Sequence, residues 1–273
     1  MGIYDRDYYR DTDAPRVGPG SWSVTTWLIV LCLAAFFIDA LAAGQQRRPR
    51  TIEEYIEREQ RRQELGPLGG MSPLKRWGHF SKATAVEGGQ IWRFITFQFL
   101  HADFMHLGGN LLSLFLFGGV VEAHFGARRF LAFYLLCGIA GAVTYLLMAW
   151  TNVLYFPDWM PMVGASAGIF GILVAGAIIT PEREVWSFFT FIPIPMTMRM
   201  MAIVMMVIAL VTVMRSGPNA GGQAAHLGGG VLGLLFMFNQ HWLNVFAGSR
   251  PRASRQGGRR REAFRDWSKE WDR

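Results

Sequence analysis

Four polar side chains interrupt the apolar segments of this sequence, and their types suit acyl-transfer chemistry. Ser166 lies in Gly-Ala-Ser-Ala-Gly, and His226 lies in Ala-His-Leu-Gly-Gly. His106 and Asn110 are four residues apart, so they share one face of a helix. Polar side chains inside a membrane are costly and therefore indicate function.

These residue types define a specific reaction. A serine hydroxyl becomes a good nucleophile when a base removes its proton, and imidazole titrates in the suitable range. Donors aimed at the oxygen that becomes negative stabilise the transition state. We therefore predict Ser166 as nucleophile and His226 as general base, with His106, Asn110 and the Ser166 backbone N–H as the oxyanion site. No Asp or Glu is placed to orient His226, so a dyad is predicted rather than a triad, with Phe170 stacked on the imidazole.

The apolar residues occur in blocks long enough to cross a bilayer, which takes about 20 residues of helix. The chain is 51% hydrophobic and only 17% charged. The expected fold class is therefore all-α, a polytopic membrane protein with six transmembrane helices. The predicted segments are Trp22–Ala43, Phe104–Val121, Phe130–Trp150, Gly164–Thr180, Met200–Met214 and His226–Phe246.

The charge distribution predicts domain limits and orientation. Residues 1–21 are expected to form a cytoplasmic segment, 22–246 the membrane domain with an exposed loop at 44–103, and 247–273 a basic cytoplasmic tail. Arg128 and Arg129, and then Arg183 and Arg199, mark cytoplasmic loops by the positive-inside rule. Both termini are then cytoplasmic, in the plasma (inner) membrane of a bacterium. The second, fourth and sixth segments all start outside, so the four polar residues share one depth.

Small residues predict how the serine and histidine helices meet. Gly168 and Gly171 follow Ser166 on one strip, and Gly229 and Gly233 follow His226 on another. Strips of small residues let membrane helices approach backbone to backbone. We expect this contact to bring Ser166 within hydrogen-bond distance of His226.

The ordered set of motifs resembles the rhomboid family of intramembrane serine proteases. Trp92-Arg93, His106-x-x-x-Asn110, Gly-Ala-Ser166-Ala-Gly and Ala-His226-x-x-Gly-x-x-x-Gly occur in the family's order. The resemblance implies a six-helix rhomboid-like bundle, a catalytic Ser166/His226 dyad and an oxyanion site at His106 and Asn110. It also implies that Trp92 and Arg93 shape the first outside loop. The sequence departs from the family pattern at two positions. Ala167 stands where many members have Gly, and Phe170 stands where some have Tyr.

Other functions are less well supported by the sequence. A zinc protease needs His-Glu-x-x-His, and an aspartyl protease needs two carboxylates at one depth; neither is present. No metal or cofactor is expected. The pI of about 9.8 is attributed to cytoplasmic loops, so the expected partners are lipid and transmembrane substrates, with no nucleic acid. The alternative is a non-catalytic rhomboid-like protein that binds or escorts membrane clients.

The remaining titratable residues within the membrane domain are expected to be structural. Glu122 is too deep to serve Ser166 and is expected to cap a helix or to pair with Arg128 or Arg129. The other four histidines fall in loops or at segment ends and are expected on the surface: His79, His101, His124 and His241.

Overall fold

The computed structural model describes residues 22–44, 51–54, 56–57, 60, 70–187 and 194–247. The predicted segments 1–21 and, apart from Ala247, 247–273 lie outside the described residues. The described part is mostly helical, which confirms the all-α prediction. A two-stranded antiparallel hairpin, β1 Glu184–Ser187 and β2 Ile194–Thr197, is the strand structure of this part and was not expected.

Six apolar helices build the bundle. They are α1 Val24–Gly44, α2 Phe104–Phe125, α3 Ala127–Trp150, α4 Ser166–Ile179, α5 Met198–Met214 and α6 Ala220–Phe238. α2 contains one π-helical turn, Leu114–Gly118. Within the described residues, α1, α2 and α3 are long and apolar enough to cross a membrane, and α4 and α5 are shorter apolar helices.

Short helical turns fill the connections on the side of the bundle where α2, α4 and α6 begin. The segment before α2 contains a helix Pro73–Gly78, a π-turn Lys82–Glu87, a helix Arg93–Thr96 and a 3-10 turn Phe97–Phe99. A single β-bridge joins Phe80 to Met162 in the connection between α3 and α4. A 3-10 turn, Gln240–Phe246, follows α6 on the opposite side.

α4 is the central helix and is buried along most of its length between α3 and α6. A Cβ atom on Gly233 would lie 2.7 Å from the Cα atom of Gly171, and one on Gly171 would lie 2.5 Å from the Cys137 sulfur. These distances are too short for any side chain. The small residues of α4 therefore face both neighbours, α6 and α3, and they let three backbones pack in contact.

α1 is fixed to α2 by a half-buried acid, Glu122. The Glu122 carboxylate accepts hydrogen bonds from the N–H groups of Val24 and Thr25 at 2.7 and 2.9 Å and from the Thr25 hydroxyl at 2.7 Å. Glu122 thus caps the start of α1, because the first N–H groups of a helix have no acceptor within it. Of the two expected roles, the helix cap is confirmed, whereas no ion pair of Glu122 with Arg128 or Arg129 is found among the described residues.

α6 begins six residues earlier than its sequence pattern indicated. The stretch Arg215–Ala225 has the composition of a glycine-rich loop, yet the helix starts at Ala220. Its first turn packs tightly, since a Cβ on Gly221 would lie 2.9 Å from the Tyr145 ring and 3.4 Å from the Phe156 ring. His226 consequently lies in the second turn of α6 and not at its first residue.

Candidate active site

Ser166 and His226 are in direct hydrogen-bonding contact. The Ser166 hydroxyl oxygen lies 2.8 Å from Nε2 of His226. Ser166 is the first residue of α4, where its side chain meets the second turn of α6. One turn further along α4, the Phe170 ring stacks on the imidazole, with centroids 4.1 Å apart and planes 14° apart. The stacking fixes the plane in which the imidazole lies.

Gln223 completes the surroundings of the imidazole and was missed by sequence reasoning. Its side-chain oxygen lies 3.0 Å from Nδ1 of His226. The two residues are three apart on α6, a spacing that puts side chains on one helix face. The signal was available in the sequence, but it was hidden by the assignment of residue 223 to a loop.

His106 and Asn110 border the serine from α2. Asn110 is 7% exposed, and its side-chain nitrogen has no hydrogen-bond partner among the described residues. The Ala102 N–H donates to Nδ1 of His106 over a long 3.4 Å, which leaves the His106 proton on Nε2. A buried amide donor and an Nε2–H donor therefore line the same side of the site.

Gly164 brings His106 and Ser166 together. Its φ of +133° is a conformation that residues with a side chain rarely adopt. A Cβ atom there would lie 2.7 Å from Nε2 of His106 and 3.5 Å from the Ser166 hydroxyl. The Gly164 N–H donates to the Phe97 carbonyl at 2.9 Å, which anchors this turn to the segment before α2. The space beside Gly164 is thus where a donor from α2 and the hydroxyl from α4 meet.

The dyad opens into a cavity of about 850 Å³. α2 contributes Met105, His106 and Asn110 to its lining, and α5 contributes Met205. Residues from the connections before α4 and before α6 complete the wall. The cavity therefore joins the dyad to the gap between α2 and α5 as well as to the end of the bundle.

Ala167, one of the two departures from the family pattern, is accommodated by α3. It is 2% exposed, and a Cβ on Gly141 would lie 2.6 Å from the Ala167 methyl group. The extra methyl therefore occupies space that Gly141 leaves free, so Ala167 and Gly141 form one packing contact.

The segment before α2 is held by a buried arginine. The Arg93 guanidinium donates to the carbonyls of His79 at 2.6 Å and Arg76 at 2.9 Å, and to the Gln90 side chain at 2.6 Å. Trp92 is 41% exposed and stacks on Trp77 with centroids 6.1 Å apart. Arg93 is therefore an internal tie of this segment, and Trp92 lies on its surface.

Two of the histidines expected on the surface are buried. His79 and His101 are each 1% exposed. Burial, together with the nearby His106, lowers the pKa of His101 to about 4. Asp103 caps α2 by accepting from the His106 N–H at 2.9 Å, and this bond holds the pKa of the Asp103 carboxyl below its usual range. Among the described residues, no group of three or more His, Cys, Asp or Glu side chains is arranged to hold a metal ion.

A helical membrane bundle with a serine and a histidine on adjacent helices is the architecture that the motifs predicted. A family model of the rhomboid domain matches residues 88–242, more than half of the chain. The protein belongs to the rhomboid family, and the resemblance drawn from the motifs is confirmed.

The curated relatives include proteins named as proteases and one named as inactive. An Arabidopsis thaliana protein named "Inactive RHOMBOID-like protein 8" is 31% identical over 125 residues, which are 46% of this chain and 32% of the relative. "Rhomboid-like protease 3" of Toxoplasma gondii is 34% identical over 104 residues, 38% of this chain and 36% of the relative. "Rhomboid protease GluP" of Bacillus subtilis is 38% identical over 90 residues, 33% of this chain and 16% of the relative. The matched part spans about a third or less of the first and last of these proteins.

Proposed function

We propose that this protein is an intramembrane serine endopeptidase that cleaves transmembrane segments of other membrane proteins with a Ser166/His226 dyad. The observation that carries the proposal is the 2.8 Å contact between the Ser166 hydroxyl and Nε2 of His226 at a cavity. A nucleophile and base within about 2.6–3.2 Å is the geometry that serine acylation requires.

The proposed reaction has two halves. Nε2 of His226 takes the Ser166 proton while the hydroxyl oxygen attacks a substrate carbonyl, and the histidine then gives that proton to the leaving amine. Water next attacks the acyl carbon while His226 takes one of its protons, and the histidine gives that proton to the Ser166 oxygen as the ester bond breaks, which frees the product acid and restores the hydroxyl. Ser166, His226 and water thus account for every bond and proton transferred in the proposed cleavage.

The negative oxygen formed in both halves is stabilised by three proposed donors. Two are the Asn110 amide, whose nitrogen has no partner among the described residues, and the Nε2–H of His106. The third is the Ser166 N–H, because the first N–H groups of a helix have no intrahelical acceptor. Each such donor typically contributes about 3–4 kcal/mol to the transition state.

The proposed substrate is a membrane helix that enters from the side. The cavity reaches the gap between Met105 on α2 and Met205 on α5. A helical segment has its carbonyls in internal hydrogen bonds, so it must unwind before one reaches Ser166. Substrates with Gly or Pro near their outer ends should therefore be cut faster than uninterrupted Leu-rich helices. Equal rates for both would contradict this step.

Six crossings with both termini in the cytoplasm are proposed from the basic residues. Arg128 and Arg129 begin α3, and Arg183 and Arg199 flank the hairpin, all at the end of the bundle away from Ser166. The positive-inside rule places that end in the cytoplasm and the dyad near the outer surface. The relatives come from plants, a parasite and a bacterium, and some are named mitochondrial, so they do not single out a bacterial inner membrane.

The test is cleavage of a tagged transmembrane substrate by the full chain in liposomes. Ser166→Ala and His226→Ala are compared with the wild type. Ser113→Ala is the matched serine control, since Ser113 also lines the cavity but its hydroxyl donates to the Gly109 carbonyl at 2.8 Å. His124→Ala is the histidine control, since His124 lies at the other end of α2.

The expected result is loss of cleavage in both dyad variants and retention in both controls, with unfolding temperatures close to that of the wild type. Cleavage that survives in Ser166→Ala would show that the nucleophile is wrong. No cleavage by the wild type across several substrates would instead favour the non-catalytic alternative, a rhomboid-like protein that binds or escorts membrane clients.

A further inference from the structure

Gln223 occupies a defined position at the start of α6. The helix begins at Ala220, and the Gln223 N–H donates to the Asn219 carbonyl at 3.0 Å, which closes the first turn. The turn is held against α3 by the tight approach of Gly221 to Tyr145. From this position the Gln223 side-chain oxygen lies 3.0 Å from Nδ1 of His226.

This contact determines which ring nitrogen carries the proton. A neutral imidazole has one N–H donor and one acceptor nitrogen. The amide oxygen of Gln223 accepts only, so Nδ1 of His226 must be the donor and Nε2 must carry the lone pair. Nε2 is the atom that lies 2.8 Å from the Ser166 hydroxyl, and in this tautomer it accepts the serine proton. In the opposite tautomer Nε2 would donate to Ser166 and leave the hydroxyl without a base.

We propose that Gln223 is a positioning residue that holds His226 in the Nδ1–H tautomer and thereby makes it a base for Ser166. The effect of this role on catalysis rests on the proposed function, whereas the tautomer of His226 exists whether or not the protein cleaves peptides. Gln223 takes the place of the carboxylate that orients the histidine in a triad. As a neutral group it does so without an additional buried charge.

The effect of Gln223 on the imidazole can be separated from the effects of the other residues around the ring. α4 presents the Ser166 hydroxyl, which contacts Nε2, and the Phe170 ring, which stacks on the face of the imidazole. Neither is a hydrogen-bond partner of Nδ1 among the described residues; that partner is Gln223. Among the described residues, the other titratable groups that line the cavity are Asp103 and His106 at the start of α2, Tyr145 on α3 and Tyr155 in the connection before α4. Lys75 acts on the site through His106. α5 contributes the uncharged Met205. A change at residue 223 therefore alters the polar partner of Nδ1 and leaves the other neighbours in place.

Two substitutions of nearly equal size test the role. Gln223→Met removes the acceptor, and Gln223→Glu replaces it with an acceptor that carries charge. Gln240→Met is the matched control, because Gln240 also contacts a histidine, His124, at 3.2 Å, but does so at the far end of the bundle. Two readouts are taken on the full chain in detergent: the ¹⁵N chemical shifts of His226, and the pH dependence of Ser166 labelling by a fluorophosphonate.

We expect ¹⁵N shifts of the Nδ1–H form in the wild type, in Gln223→Glu and in Gln240→Met, and a shift towards Nε2–H in Gln223→Met. Labelling should slow about tenfold in Gln223→Met, which corresponds to one hydrogen bond. In Gln223→Glu the carboxylate stabilises the protonated imidazole, so the acid limb of the labelling profile should move about one pH unit higher. A merely structural role would change unfolding without moving this limb.

The proposal is overturned if wild-type His226 carries its proton on Nε2, or if Gln223→Met leaves both the tautomer and the labelling profile unchanged. Failure of the proposed function looks different. In that case the wild type cleaves no substrate, while the Nδ1–H signal is still present in the wild type and lost in Gln223→Met.

Discussion

Gly229, one turn after His226, is the position at which helix packing and the dyad geometry are most directly coupled. A Cβ atom there would lie 2.7 Å from the carbonyl carbon of Ala167 and closer still to the Ala167 oxygen. Both are backbone atoms, so they cannot move aside as a flexible side chain would. Because ordinary contact begins near 3.4 Å, Gly229→Ala must separate α6 from α4 by about 0.7 Å or more.

That displacement is large compared with the tolerance of the reacting pair. Adding about 0.7 Å to the 2.8 Å between Ser166 and His226 gives about 3.5 Å, beyond the range of about 2.6–3.2 Å of a working nucleophile and base. Misplacements of this order cost about 10²-fold in rate. Overpacking itself costs about 1–3 kcal/mol, partly offset by the roughly 0.5–1 kcal/mol that alanine gains over glycine in a helix.

The assay measures the labelling rate of Ser166 by a fluorophosphonate and the thermal unfolding of the same purified protein. Gly119→Ala is the control, since Gly119 is a helical glycine on α2 and the methyl group of an alanine there would have no neighbouring atom within 4 Å. We expect the control to match or slightly exceed the wild type in stability and to label normally. If Gly229→Ala also labels at the wild-type rate, the packing of α6 on α4 does not set the Ser166–His226 distance, and the reasoning is refuted.

Three further predictions concern groups around the site and at its supports. Asn110→Ala should slow substrate cleavage about 10²–10³-fold, because it removes a donor to the oxyanion. Unfolding should change little, because the amide nitrogen has no partner in the described structure. Cleavage within threefold of the wild-type rate would show that Asn110 does not stabilise the oxyanion. Glu122→Gln should lower the free energy of unfolding by about 1–3 kcal/mol, because the carboxylate that caps α1 through three hydrogen bonds becomes neutral; an unchanged unfolding temperature would contradict this cap. The pKa of His101 is about 4 in the folded protein and about 6.5 in the unfolded chain. Between these values the unfolded chain binds more protons, so the free energy of unfolding falls as the pH drops from about 6.5 to about 4, by up to about 3 kcal/mol. In His101→Phe the free energy of unfolding, measured from about pH 7.5 to about pH 4.5, should fall less with pH than in the wild type. The same pH dependence in both proteins would show that other groups cause the loss.

The parts of the fold that follow from local pattern could be predicted from the sequence. Long apolar blocks predicted the six helices, with ends that differ by only a few residues for α1, α3 and α5. The i to i+4 spacing of His106 and Asn110 placed both on the cavity side of α2. Glycines at turn intervals predicted the close contact of α4 with α6, because that inference needs only helical periodicity and residue size.

What was missed depends on contacts between distant segments. The first turn of α6, Ala220-Gly221-Gly222-Gln223, has poor intrinsic helix propensity and is helical because it packs against Tyr145 and Phe156. Burial of His79 and His101 depends on how the segment before α2 folds over the bundle, which no periodicity reports. The β1–β2 hairpin likewise depends on pairing across residues 188–193, such as Val185 with Met196.

The boundary of α6 matters for how a dyad works without an acidic third residue. A histidine at the first position of a helix would have no preceding turn to hold it, whereas His226 in the second turn has Gln223 at i−3 in hydrogen-bonding contact with Nδ1. In the proposed mechanism, Phe170 fixes the plane of the ring and Gln223 holds its tautomer, so two neutral side chains together supply the orientation that a carboxylate supplies in a triad. A carboxylate would stabilise the protonated histidine better, but it would also add a charge where burial in the membrane is costly. In the proposed mechanism, a neutral amide therefore orients the base with a smaller desolvation penalty than a carboxylate would carry.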